Sequence, residues 1–481
     1  MANWNKVKDN APTTYSYEGG AVYEKTPLNE WLNMLFSSFM EEGFYESART
    51  QRERFLDLTE KMAEAYGYVF VGKAAIFARN ELGMRSISQL VAAWLNDKTF
   101  ENKRAFYKVF MHRPDDVAEI FAAVDYLKGK RSHALVRGSA DYLQTLSKYT
   151  LGKYKLNSRT YNMYDLINIT HAWSPVIDAY MNHTLENVDT WEVKIAGAEN
   201  EEVREQEWKR LVEEYKLGYM ALLRNLNNIL AIEGIDQEWI TTFLVPQITN
   251  ETAVKASLIF PYRIFTAYKN LKVKNFSVIT ALGDAFKIAT QNTPKLEGNS
   301  TIILDVSGSM EERISTKSNI SIKEVGACFA VGLLYANPNC TVIKFGTNAK
   351  KWNFQPLCNP FDNIISLCNN SNCGYSTEIL PALYSAYENS KNPKRIFIIS
   401  DMQVMDENPY YVDVFAIDVY HKTFNRTPLY SFDLGNYHTQ LVSEYDSIYY
   451  ITALNDQVFK FINLLESKQD LVQLINDTIS F

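Results

Sequence analysis

Asp305 closes the apolar run TIILD, and Ser307 and Ser309 follow it at every second residue. A short unbroken apolar run of this kind reads as a buried strand. Ligands of open α/β sheets gather in the loops outside the carboxyl ends of such strands. Asp401 closes a second run, RIFIIS, in an equivalent position, and Thr377 follows the loop NCGYS at the start of an expected helix. Carboxylates, hydroxyls and water in octahedral array suit a hard divalent cation, Mg²⁺ above all. Two carboxylates offset the charge of the ion, and neutral hydroxyls leave it able to take one more acidic ligand. The plainer alternative is that Ser307, Gly308 and Ser309 only form a polar strand-to-helix turn. Five oxygen donors at expected strand ends favour the cation.

A second chemistry is carried by cations. The net charge of −7 hides an uneven distribution. Residues 128–159 hold eight basic side chains, Lys128, Lys130, Arg131, Arg137, Lys148, Lys153, Lys155 and Arg159, against Asp141 alone. Residues 255–295 hold seven, Lys255, Arg263, Lys269, Lys272, Lys274, Lys287 and Lys295, against Asp284 alone. Local potential rather than total charge governs the encounter with a polyanion. Tyr142, Tyr149, Tyr154 and Tyr161 interleave the first segment and could stack unpaired bases. The plain reading is that the cations are helix-face charges and the tyrosines core. For any single residue that reading competes well; for the segment as a whole, phosphate binding is the stronger one.

These side chains need elements to hold them. Leu32, Leu35, Phe36 and Phe39 recur at helical spacing, as do Phe55, Leu58, Met62 and Tyr66, and later Leu222, Leu226, Ile229 and Leu230. Gly83 suits a helix C-terminus, and Pro114 with Asp115 and Asp116 suits a helix start. The acidic run 198–216 reads as a solvated helix face. From Pro294 the character changes. Strand-like TIILD, CTVIKFG, RIFIISD, PLYSFDL and SIYYIT alternate with helical stretches at 323–336, 377–389 and 457–466. Continuous apolar strands between helices mean a parallel sheet covered on both faces. The expected fold is multidomain, α plus α/β: an α-helical array of solenoid type over 1–295, then a doubly wound parallel sheet over 296–481.

Much can be set aside. The start MANWNKVKDN has no apolar core of a secretory leader, and no stretch is apolar enough to span a membrane. Five cysteines, Cys328, Cys340, Cys358, Cys368 and Cys373, argue against a disulfide framework and for a reducing cytoplasm. No nucleotide-binding glycine loop, zinc-protease helix, serine elbow or Cys-x-x-Cys occurs. We therefore expect a binding protein, not an enzyme.

The 305–309 pattern, with Thr377 and Asp401, resembles the metal-ion-dependent adhesion site of von Willebrand factor A domains. The stretches KAAIFARNELGMRSISQLVAAWL, GKRSHALVRGSADYL, KYKLNSRTYNMYDLINITH, MALLRNLNNIL and FPYRIFTAYK resemble, in order, the TROVE domain of the Ro autoantigen family. That resemblance implies a monomeric ring of HEAT-like helical pairs closed by the A domain. It implies small non-coding Y RNA on a basic outer surface, single-stranded ends of misfolded RNA in the ring, and an exoribonuclease as a possible partner in RNA quality control. His171, at the end of the third block, joins the implied RNA-contacting residues. The chain departs from the family by placing Met163-Tyr164 before Asp165-Leu166, where relatives carry His-Lys. Its modest length fits a bacterial or phage member. The competing reading is a protein-interaction module whose A domain uses the metal to capture an acidic side chain.

Overall fold

The computed structural model of the chain describes residues 14–15, 21–24, 26–37, 47–154, 156, 159–185, 191–291, 296–314, 318–403, 420, 423–425, 427–434, 439–440, 448–451, 462 and 470–481. The chain divides into two compact units, and the division cuts it differently from a boundary at 295. One unit comprises Met1–Asn33, Glu41–Ala48 and Trp208–Asn463; the other comprises Met34–Met40, Arg49–Glu207 and Leu464–Phe481.

The unit built around Arg49–Glu207 is helical. A long helical stretch, Ala48–Asn80, is interrupted at Gly67, whose φ of 83° and ψ of 160° lie outside the helical region. Its first half buries Phe55, Leu58 and Met62, and the end of its second half leads to Gly83 at φ 69°. Both features follow the sequence stripes. Helices Ser86–Trp94, Lys103–Phe110, Pro114–Tyr126 and His133–Leu143 follow; the first packs on the third and the second on the fourth. Gly138 sets one of these approaches. A Cβ there would lie 2.6 Å from the Tyr107 Cβ and 2.7 Å from the Arg104 carbonyl oxygen.

Pro114 does open a helix, but its two acids do more than favour the positive end of the helix. Asp116 is fully buried and accepts from Arg79 Nε at 2.9 Å, Arg79 Nη2 at 2.8 Å and Gln89 Nε2 at 2.8 Å. The backbone amides of His112 and Arg113 complete the set, at 3.0 and 2.9 Å. Asp115 is held by Arg85 and Arg113. Buried charges persist in cores only when paired and hydrogen-bonded to this degree.

The other unit combines helices with the sheet. The helix Glu201–Glu213 buries Trp208, Leu211 and Val212, while Arg210 pairs with Glu214. The stripe from Leu222 to Leu230 is broken at Asn225 into helices Tyr219–Arg224 and Leu226–Leu230. Helices Pro261–Lys269 and Phe276–Thr290 then pack on each other and on the helix Ile322–Ala336.

Among the described residues the larger sheet has six strands, in the order Ala349–Trp352, Cys340–Phe345, Ser300–Asp305, Arg395–Ser400, Leu429–Asp433, Ile448–Ile451. All neighbours are parallel except the edge strand Ala349–Trp352, which the sequence reading had missed. Side chains alternate across a strand, and the two faces are covered by different helices. Leu304 and Ile399 meet the helix Ile322–Ala336 at Gly326, while Ile303, Ile343 and Ile398 pack with Ile379, Leu383 and Ala386 of the helix Ile379–Asn389. The expected fold class, helical followed by a covered, mostly parallel sheet, is the one found. The expected helix at 457–466 lies outside the described residues, apart from Ile462.

Candidate metal centre and nucleic-acid interface

The chain leaves Ser300–Asp305 toward one side of the sheet and returns on the other with Arg395–Ser400, directly beside it. The two strands therefore flank the point where strand order reverses, the place where doubly wound sheets bind ligands. Asp305 and Asp401 stand there at adjacent strand ends, and both are buried. Asp305 Oδ1 accepts from the Ser307 amide at 2.8 Å, and its Oδ2 accepts from Ser400 Oγ at 2.6 Å. The hydroxyls of Ser307 and Ser309 are 3.4 Å apart, and the Ser309 side chain draws the pKa of the Asp401 carboxyl downward. Asp401 Oδ1 takes the Gln403 amide at 3.2 Å.

Backbone packing brings the loop that precedes Thr377 to the Ser307–Ser309 turn. Gly346 and Gly374 pass so close that a Cβ on Gly346 would lie 2.3 Å from the Gly374 carbonyl oxygen. The loop before Thr377 is thereby pressed onto the end of Cys340–Phe345. The Gly308 amide donates to the Tyr375 carbonyl at 2.8 Å, tying that loop to the Ser307–Ser309 turn. Thr377 is buried two residues ahead of the helix Ile379–Asn389, not within it.

Electrostatics test whether these residues suit a divalent cation. Burial pushes the Asp305 carboxyl upward against the pull of its Ser307 and Ser400 hydrogen bonds. Burial also pushes Asp401 upward, and the charges of Asp305 and then Asp433 add to it. Among the described residues no Lys or Arg forms an ion pair with Asp305 or Asp401. Two facing carboxylates without a cation are the environment a divalent ion relieves. Among the described residues no cluster of three or more His, Cys, Asp or Glu forms a cage; carboxylates and hydroxyls are hard oxygen donors, of the kind Mg²⁺ takes in preference to a soft metal. Sequence reasoning missed Ser400, which orients Asp305, and Asp433, paired in register with Ser400.

The basic segment is more mixed than its charge count. Its cations meet acids from outside the window. Arg131 pairs with Asp125 at 2.8 Å and lies 5.0 Å from the ring centres of both Phe121 and Tyr161. Arg159 pairs with Glu119 at 2.5 Å, and Lys153 with Glu192 at 3.4 Å. The acid within the window, Asp141, is taken by Arg104. Lys128, Lys130 and Arg137 remain exposed and make no ion pair among the described residues; Arg137 leans on His133 at 3.4 Å. Lys148 is half-buried, His171 is exposed at φ 52° where it ends the helix Met163–Thr170, and Lys155 lies outside the described residues. Of the interleaved tyrosines, Tyr142 is core, Tyr161 is bound to Asp125, and Tyr149 stays exposed.

The loop 127–132 that carries Lys128 and Lys130 is held by a side chain from outside it. Buried Asn96 grips it with both ends of its amide, donating to the Lys130 carbonyl at 2.8 Å and accepting from the Ser132 amide at 2.8 Å. Lys128 itself occupies the left-handed position, φ 58°, that closes the helix Pro114–Tyr126. Glycine is the usual choice there.

Residues 179–310 match the model of the TROVE domain. No curated protein sequence matches the chain. Among solved structures, the fold is similar to the crystal structure of the Deinococcus radiodurans Ro (Rsr) protein, with a TM-score of 0.62 and 15% identity, covering 91% of this chain and 100% of that one. Residues 179–310 are thus similar in sequence to a TROVE domain, from the helical part into the Asp305–Ser309 turn, and nearly the whole chain is similar in fold to the Ro protein.

Proposed function

We propose that the chain is an RNA-binding scaffold without catalytic chemistry of its own. It binds a small non-coding, Y-like RNA on the basic surface of 128–159 and takes hold of single-stranded ends of structured or misfolded RNA. Its role is RNA quality control or processing, with an exoribonuclease as a partner that receives the RNA. One observation carries the RNA surface: Lys128 and Lys130, on a loop that Asn96 clamps, and Arg137, on the helix that follows it, face solvent without an ion pair among the described residues. Phosphate oxygens are the ligands such cations lack. The TROVE match supports the same reading.

Asp305, Ser307, Ser309, Thr377 and Asp401 would hold Mg²⁺, which would supply an open coordination position for an acidic side chain. That makes metal-dependent capture of a protein partner the second reading, and the two are compatible. The experiment that separates them is purification with and without ribonuclease. The first reading expects ribonuclease-sensitive absorbance at 260 nm and ultraviolet crosslinks to RNA. Protein that is RNA-free, forms no crosslinks and captures a protein only with Mg²⁺ would leave the second reading alone.

A further inference from the structure

Three of the seven cations of the second basic window are ion-paired. Lys255 pairs with Glu251, Lys269 with Glu324 at 2.6 Å, and Lys287 with Asp284 at 3.4 Å. Lys295 lies outside the described residues. Arg263 lies against the Tyr262 ring, 4.8 Å from its centre. What remains is the loop 271–275 together with Phe276, the first residue of the helix Phe276–Thr290, and the composition of this segment is unusual for a surface turn. Phe276 is 83% exposed and Val273 50% exposed, between Lys272 and Lys274, which are also exposed. No acid occurs in the sequence between Glu251 and Asp284.

The loop is held in place. Buried Leu271 and Val278 anchor its two ends. Asn227 donates to the Asn270 carbonyl at 2.8 Å and accepts from the Lys272 amide at 2.9 Å. Asn275 donates to Gln237 Oε1 at 2.8 Å, and Gln237 in turn donates to Ser277 Oγ at 2.8 Å. Lys274 Nζ donates to the Tyr268 carbonyl at 3.2 Å and sits 4.8 Å from the centre of that ring, which is stacked on Phe361. An aromatic ring is thus presented to water at the end of a held loop that carries two exposed lysines and several neutral amides. On the neighbouring turn, Asp236 is occupied in capping the Trp239 amide at 2.7 Å, and exposed Glu238 is the remaining acid.

An exposed ring beside fixed cations is what sequence-tolerant binding of single strands uses: bases stack on the ring and the backbone follows the charge. A protein partner would call for a broader apolar patch than one ring and half a valine. We propose that the segment 271–276 is a second nucleic-acid site, which stacks an unpaired base of single-stranded RNA on Phe276 and holds its phosphates with Lys272 and Lys274. This rests on the RNA-binding reading above and assigns the single-stranded part of it to a place.

The test uses the full chain and two labelled probes, a ten-nucleotide oligouridine and a blunt RNA hairpin, with affinity read by fluorescence anisotropy. Phe276→Ala should weaken oligouridine binding about fivefold to a hundredfold, the cost of one lost base stack. Phe276→Trp should restore it, and hairpin affinity should stay within about twofold. Lys272→Gln with Lys274→Gln should make the salt slope for oligouridine shallower by about 1.4, at roughly 0.7 per single-strand phosphate contact. A wild type that binds oligouridine while Phe276→Ala binds it equally well overturns this inference and leaves the RNA-binding reading standing, as does a wild type that binds only the hairpin. A wild type that binds neither probe overturns both.

Discussion

Replacing Asp116 by Asn should be among the most damaging single-atom changes in the helical unit. The two carboxylate oxygens accept five hydrogen bonds, two of them from Arg79, whose side chain is only 8% exposed. An amide in that place turns a donor toward donors and strands the guanidinium without a counter-charge. Breaking one side of a buried pair costs about 3–5 kcal/mol. At roughly 2–4 °C per kcal/mol for a unit of this size, Tm should fall by about 6–20 °C. Hydrogen exchange should place the loosening in peptides of Arg49–Glu207. Asp116→Leu combined with Arg79→Met should recover more than half of the loss, because an apolar pair leaves no charge behind. The pH dependence has a definite sign. Burial alone would raise the Asp116 carboxyl, but Arg79, the His112 amide and Gln89 outweigh it and hold it below the usual carboxylate range. A depressed value in the folded state gives stability that is present above the unfolded pKa, near 4, and is lost as pH falls through the folded value. The gap between wild type and Asp116→Asn should therefore be full at pH 7 and close below about pH 4. A Tm loss under about 2 °C at pH 7, or a gap that widens in acid, would refute the reasoning.

Two further outcomes follow from the packing and the candidate metal centre. Gly138→Ala should destabilise by about 1–3 kcal/mol, since its Cβ would meet backbone at 2.7 Å; a neutral melt would show that the helices separate freely there. Mg²⁺ or Mn²⁺ should raise the Tm of the wild type and give a calorimetric binding signal, both lost in Asp305→Asn and in Asp401→Asn. Removing a buried, unpaired carboxylate should not lower the metal-free Tm, so binding that persists unchanged in both variants would count against the site.

The sequence was most legible where one periodicity ruled. Helical stripes with Gly83 and Pro114 marked the helices, and unbroken apolar runs marked the strands whose ends carry Asp305 and Asp401. What could not be read was pairing across elements. The acids that meet Arg159 and Lys153 stand 40 residues away in Glu119 and at Glu192, outside the window whose charges were counted. Asp116 looked like a first-turn acid because its partner Arg79 lies 37 residues earlier. Arg395 reads as a surface cation at a strand start, yet it is buried and donates to Ser300 Oγ at 3.2 Å. Asn96, which fixes the basic loop, has no local signature, since an amide announces its role only through the backbone it grips.

The central claim is tested most directly by the salt dependence of RNA affinity. Labelled small structured RNA is titrated with wild type and with Lys128, Lys130 and Arg137 all changed to Gln, from low to physiological salt. If all three touch phosphate, the slope of log affinity against log salt should become shallower by roughly two to three units. Thermal stability should be nearly unchanged, because none of the three makes an ion pair among the described residues. The matched control changes the exposed Lys350, Lys351 and Lys391 to Gln and removes equal charge from the α/β part; its slope should stay that of the wild type. An unchanged slope in the first triple, or an equal loss in both, would contradict a localised RNA surface on the loop held by Asn96.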